Sequence, residues 1–170
     1  ADLGGQTLVG GVYNAAAAMA LTGTLILDGQ NNPDAVWIFQ AGSTLTTASS
    51  SVVQLINGAQ PCHVFWQVGS SATFGTSSSF AGKVLALTSI TATTGATFKG
   101  QLLARNGAVT LDTNTITNDV CAAAVTPTPT VSVTPSSTPV VTPPTETVAP
   151  PVVTPSATPT ETPSASATPS

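Results

Sequence analysis

Phe65-Trp66-Gln67-Val68, Val84-Leu85-Ala86-Leu87 and Leu102-Leu103-Ala104-Arg105 are three short apolar runs that recur at offsets of 19 and 18. The pieces between them recur as well. Ala72-Thr73-Phe74, Ile90-Thr91-Ala92 and Val109-Thr110-Leu111 lie 18 and 19 apart, and Phe80, Phe98 and Ile116 lie 18 and 18 apart. Three strand-like pieces in every turn of about 18 residues are the signature of a β-helix of triangular section. No single coil of such a chain can bury its own apolar side, so stacking creates the core. Outward from this stretch the rest of residues 1–124 reads the same way, with apolar/polar alternation, β-branched residues and frequent glycine. One segment, Asn14–Leu21, reads as a helix.

The sides of the coil differ. Ile90-Thr91-Ala92 points apolar residues inward and Thr outward. Val84-Leu85-Ala86-Leu87 and Gln101-Leu102-Leu103-Ala104 are apolar on both sides, which is the pattern of a strand covered on its outer surface. Two sides are therefore hydroxyl-rich and wet, and one wants a partner.

Charge is nearly absent: three Lys+Arg and seven Asp+Glu, two of the latter (Glu146 and Glu161) in the C-terminal tail. Five acids against three bases make too weak a field to attract nucleic acid or anionic lipid, which excludes those partners. No run of about 20 apolar residues exists to span a membrane. Twelve of the fourteen prolines fall between Pro127 and Pro169, interleaved with Thr, Ser, Val and Ala. Residues 125–170 are therefore expected to be an unfolded, polyproline II-like stalk or linker, of a composition that is O-glycosylated on secreted proteins and suited to cell-wall or matrix attachment. The chain begins at Ala1 rather than Met, and the expectation is that a signal peptide, or more, has been removed from a secreted protein.

Cys62 and Cys121 lie far apart, with nearly half of residues 1–124 between them. Neither lies in a CxxC or Cys/His spacing, so no zinc site and no metal is expected. In an oxidising compartment they pair, closing a loop worth about 4 kcal/mol in the chain-entropy view; the other reading is two free buried thiols.

Several long, mutually ordered motifs resemble the microbial ice-binding (antifreeze) proteins with a discontinuous β-solenoid. These are Ala35–Gln40 (AVWIFQ), Gly42–Ser49 (GSTLTTAS), Asn57–Gln67 (NGAQPCHVFWQ) with Val68–Ser70, and Gly100–Thr117 (GQLLARNGAVTLDTNTIT), and the likeness runs through residues 3–118. The resemblance implies a right-handed β-helix of triangular section, with one long α-helix packed along a side. It also implies an N-terminal capping and helical segment ahead of the stretch resembling 3–13 (LGGQTLVGGVY), without counterpart in this sequence; residues 1–124 are thus expected to be a partial solenoid with its VLAL side uncovered.

Ice binding needs a flat, rigid array that holds ordered water at crystal-compatible spacings. Stacked coils give ranks about 4.7–4.8 Å apart, and Thr offers a hydroxyl and a methyl on a stiff χ1. The resemblance carries a loose T-(A/G)-x-(T/N) pattern onto Thr94-Gly95-Ala96-Thr97. Thr47-Ala48-Ser49-Ser50, Thr76-Ser77-Ser78-Ser79 and Thr113-Asn114-Thr115 are degenerate versions. The expected ice-binding residues are therefore Thr47, Ser49, Ser50, Thr76, Ser78, Ser79, Thr94, Ala96, Thr97, Thr113 and Thr115. A competing face carries Thr44, Thr46, Thr73, Thr91, Thr93 and Thr110, which read otherwise as ordinary solvent-facing strand residues.

His63 reads as a coil-edge residue, without a ligand partner at useful spacing. Trp37 and Trp66 read as packing rather than sugar platforms. Asp28 and Asp34 flank a turn, and neither they nor Asp112 and Asp119 form a catalytic or calcium cluster. The sequence thus points to a monomeric, non-enzymatic, cofactor-free ice binder whose partner is the crystal surface. The alternative is a cell-surface adhesin or carbohydrate-binding module on a glycosylated stalk, with a polysaccharide-cleaving β-helix third.

Overall fold

A computed structural model describes residues 1–118, 120 and 121. The expected stalk at 125–170, and Asp119, lie outside the described residues. The described chain is all-β with a single short 3-10 turn, Pro61–His63. The strands are β1 (Thr7–Val9), β2 (Gly11–Ala15), β3 (Met19–Leu21), β4 (Thr24–Asp28), β5 (Trp37–Ala41), β6 (Leu45–Thr47), β7 (Val52–Ile56), β8 (Val64–Val68), β9 (Ala72–Phe74), β10 (Ser79–Ala86), β11 (Ile90–Ala92), β12 (Thr97–Ala104), β13 (Val109–Leu111) and β14 (Thr115–Thr117).

Every pairing between these strands is parallel, each strand lying beside those of the neighbouring coils. One sheet is five-stranded, in the order β3-β6-β9-β11-β13. The other is nine-stranded and holds two series, β1-β4-β7 and β2-β5-β8, joined through the long strands β10 and β12. The first residue of β10, Ser79, pairs with Val52 of β7, and its last four pair with β8. The bend between them falls at Gly82, which pairs with Gly100; both have positive φ, 112° and 145°. A Cβ on Gly82 would stand 2.7 Å from the Val64 carbonyl oxygen, so only glycine lets neighbouring coils close up there.

Phe80 pairs with Phe98 and Phe98 with Ile116, the same equal steps that the sequence repeat shows. Trp37 pairs with Val64 and Leu45 with Ala72, and these steps are half as long again. The longer steps carry extra residues in 29–36 and 57–63, two stacked loops in which Asn31 N donates to Asn57 O at 2.8 Å and Asn57 Nδ2 to Asp28 Oδ1 at 2.8 Å. Between β8 and β10, register differs by one position from the alignment of apolar runs: Trp66, not Phe65, lies beside Val84. Since side chains alternate, that slip decides which residues face inward. Trp66, Val84 and Ala86 are buried, whereas Leu85 and Leu103 are 45% and 49% exposed.

Asn14–Leu21 is not helical. Gly11–Ala15 pairs with β5 and Met19–Leu21 with β6. Met19 and Leu21 are buried and Ala20 is not; tertiary pairing overrides the helix preference of the alanines. The interior is one apolar cluster with a stack of rings through it. Centroids lie 5.3 Å apart for Tyr13–Phe39, 3.9 Å for Phe39–Trp66 and 4.8 Å for Trp66–Phe80. Trp37 and Trp66 are fully enclosed, and each indole N–H donates to a carbonyl, of Leu8 (3.1 Å) and Ala81 (3.0 Å). Both are packing residues.

Candidate functional site

The five-stranded sheet presents one residue outward from the centre of every strand. These are Ala20, Thr46, Thr73, Thr91 and Thr110, which are direct cross-strand partners in a single rank. Their flanking strand residues point in: Leu45, Ala72, Phe74, Ile90 and Ala92 are at most 1% exposed. Beneath Thr46, Thr73 and Thr91 lies packed core, a rigid floor; on the last strand Val109 and Leu111, either side of Thr110, are 39% and 48% exposed. The hydroxyls of Thr46, Thr73, Thr91 and Thr110 make no hydrogen bond among the described residues, so all four are available to water. No charged side chain interrupts them. Asp2, bridged to Ala20, closes one end of the row; the Thr22 hydroxyl, then the Gly4 and Thr22 N–H groups, hold its carboxyl below the usual carboxylate range. Thr44 lies just before this row on β6's approach and is half-buried.

The T-(A/G)-x-(T/N) stretches sit where the chain leaves this sheet and turns into the next. Ser50, Ser77, Gly95 and Thr113 adopt positive φ of 57°, 55°, 71° and 53° and lie at successive coils of that corner. The turn splits the motif between environments. Thr47, Ser78 and Ala96 are buried (3%, 1% and 0% exposed), and the Thr47 hydroxyl accepts from Gly75 N at 3.0 Å. These three expected ice-binding residues cannot meet a flat external surface, because strand alternation and the turn direct them into the core. Ser79, Thr97 and Thr115 begin β10, β12 and β14 in the other sheet. Ser49, Thr76 and Thr94 are exposed and border the Thr row, while Ser50 and Thr113 form the turn itself.

The border hydroxyls are partly committed. Thr93 Oγ1 donates to Phe74 O at 2.8 Å, so across the 3.3 Å contact with Thr76 Oγ1 it accepts and Thr76 donates. Thr94 Oγ1 donates to Asp112 Oδ2 at 2.5 Å. Asn114 Nδ2 donates to Thr93 O (2.8 Å) and Ala96 O (3.2 Å), tying the last turn to the one before.

Elsewhere, Cys62 and Cys121 are disulfide-bonded, with Cα atoms 5.5 Å apart. His63, expected to stand alone, has Nε2 3.4 Å from Cys121 Sγ and Nδ1 3.0 Å from Pro33 O. Its partner lies 58 residues away, beyond any local spacing. Asp28 is engaged by Gln30 N and Asn57 Nδ2, and Asp112 by Thr94, so each carboxylate has a structural partner.

The chain has known counterparts. Residues 1–117 match the family described as ice-binding-like. The chain belongs to that family. An ice-binding protein of Nostoc sp. (strain HG1) is 55% identical over 118 residues, covering 69% of this chain and 44% of that protein. Ice-binding protein 1 of Shewanella frigidimarina is 43% identical over 118 residues, 68% of this chain and 13% of its own length. Among solved structures, the ice-binding protein of the Antarctic ascomycete Antarctomyces psychrotrophicus superposes with a TM-score of 0.69 at 51% identity, over 71% of this chain and 59% of that one. The ice-binding-like chain thus spans less than half the length of these two curated relatives.

Proposed function

We propose that the protein binds ice without catalysis, through the outward row Thr46-Thr73-Thr91-Thr110 of the five-stranded sheet, flanked by Thr44 and Thr93 and bordered by Ser49, Thr76 and Thr94. The single observation that carries this reading is the row itself: four Thr hydroxyls in direct cross-strand register with no internal hydrogen-bond partner among the described residues. Parallel strands space them by about 4.8 Å, and the packed core beneath Thr46, Thr73 and Thr91 keeps those three in plane. Each Thr holds a hydroxyl for ordered water and a methyl that leaves the water lattice undisturbed. Adsorbed molecules pin a growing crystal front, which bulges between them; the curved front melts at lower temperature, so growth and recrystallisation slow.

The remaining parts of the reading fit this role. The coil is a right-handed triangular solenoid with a short repeat, lengthened by loops in its first turns. The protein is secreted and monomeric, and the Pro/Thr/Ser-rich stalk acts as a spacer or attachment, dispensable for ice affinity. A sugar-binding role draws no support from Trp37 and Trp66, which are enclosed.

An ice-recrystallisation assay tests the proposal. The purified chain should keep ice grains small at concentrations where a heat-denatured sample lets them coarsen. Equal coarsening in both would reject ice as the ligand.

A further inference from the structure

We propose that Cys62, His63 and Cys121 form, once their disulfide is reduced, a binding site for a thiolate-preferring divalent cation of the Zn2+ type. The fold brings three ligand atoms, the two sulfurs and one imidazole nitrogen, within 4.8 Å of one another. A disulfide staple needs only the two cysteines, so the placing of His63 calls for a separate account.

The imidazole is held in one orientation. The Pro33 carbonyl can only accept, so His63 Nδ1, 3.0 Å away, carries the proton in the neutral ring. Nε2 then holds the lone pair and faces Cys121 Sγ at 3.4 Å. Metal-bound histidines characteristically donate their other ring N–H to a carbonyl or carboxylate in this manner. The 3.4 Å separation is close to the roughly 3.6 Å between a nitrogen and a sulfur sharing one tetrahedral Zn2+, given bonds of about 2.0–2.1 and 2.3 Å.

The supporting shell is built from adjacent segments. Pro61–His63 is a 3-10 turn whose His63 N donates to Gln60 O at 3.1 Å, and Gln60 Nε2 donates to the same Pro33 carbonyl at 3.0 Å. Two ligands are therefore fixed to one turn of backbone. Cys62 is buried, His63 half-buried and Cys121 exposed, which gives the cation an open approach from the Cys121 side and leaves a fourth position for water. Two thiolates neutralise the double charge, and the sulfur and imidazole set prefers Zn2+ over Mg2+ or Ca2+.

The chemistry balances with an external reductant. A trialkylphosphine takes oxygen from one water and becomes the phosphine oxide, while the disulfide gains two hydrogens as two thiols. Cation binding then displaces both thiol protons to solvent. The disulfide and the metal site are alternative states of one cluster, and in either state the segment ending at Cys121 is tied to the 57–63 loop.

The test is a Co2+ titration of the full chain after phosphine reduction, read by absorbance. One equivalent should produce a thiolate-to-cobalt band in the near ultraviolet and d–d bands in the visible, bleached by Zn2+. The oxidised chain should show neither. His63→Ala should bind at least about tenfold more weakly, and Cys121→Ser should lose most of the charge-transfer band. No bands at about 100 µM Co2+, equal bands in the oxidised chain, or unaltered affinity in His63→Ala would each overturn the proposal. Circular dichroism accompanies every titration. If reduction unfolds the chain, recovery of the β signal on adding Zn2+ supports the site, and failure to recover it counts against it.

Discussion

The five-stranded sheet and the corner that follows it are both rich in Thr and Ser, yet they hold those residues in opposite ways. In the sheet, alternation is unbroken, so Thr46, Thr73, Thr91 and Thr110 all point out in one register. In the corner, a left-handed residue in each turn (Ser50, Ser77, Gly95) rotates the chain, and the residues that follow it, Ser51, Ser78 and Ala96, end up inside. Composition alone does not distinguish the two. What separates a surface array from a lining is the parity of each position along the backbone.

That contrast can be broken from beneath. Ile90→Ala removes a fully buried side chain next to Thr91 and should cost about 2–5 kcal/mol of stability. Chemical denaturation will measure this, and ice activity should fall with the folded fraction. A loss below about 1 kcal/mol would mean the row has no tightly packed floor.

The next effect concerns activity without stability. Thr91→Tyr should abolish recrystallisation inhibition while unfolding changes by less than about 0.5 kcal/mol, because a protruding ring lifts the crystal off the whole row. Thr94→Tyr, on the border, should weaken activity several-fold, and Thr97→Tyr, in the other sheet, should be nearly silent. Were the damage greatest at Thr94 and Thr97, with Thr91→Tyr harmless, the corner rather than the sheet would be the ice-binding face.

The smallest effect has the opposite sign. Ser78 Oγ is buried with no hydrogen-bond partner among the described residues, and Ala96 occupies its place one coil on. Ser78→Ala should therefore raise stability by about 1 kcal/mol, with unchanged ice activity. A destabilised variant would show that the hydroxyl serves a bond in the folded state.

Much of this is legible in the sequence. The steps Ala72-Ile90-Val109 and Phe80-Phe98-Ile116 coincide with the observed partners. The first coils are not legible as a regular repeat, since the loops 29–36 and 57–63 stretch their steps. The one-position slip between Phe65 and Trp66 arises because Val84-Leu85-Ala86-Leu87 is apolar at both parities and offers no polar position to align with Gln67. The proposed site is half legible. Thr46, Thr73, Thr91 and Thr110 stand out as a competing face, but a four-letter motif carries no mark of which of its residues a left-handed turn will bury. The Cys62–Cys121 pairing is legible from the two cysteines, but the placing of His63 beside Cys121 is not, because 58 residues separate them.

The chain between Thr46 and Thr73 is half as long again as that between Thr73 and Thr91 or between Thr91 and Thr110, yet each pair is one ladder step. The graduation of the surface is thus fixed by backbone hydrogen bonding and is indifferent to contour length. A chain built this way can gain or lose loop residues at 29–36 or 57–63 without moving a mark on its ruler, and it lengthens the ruler only by adding a whole coil.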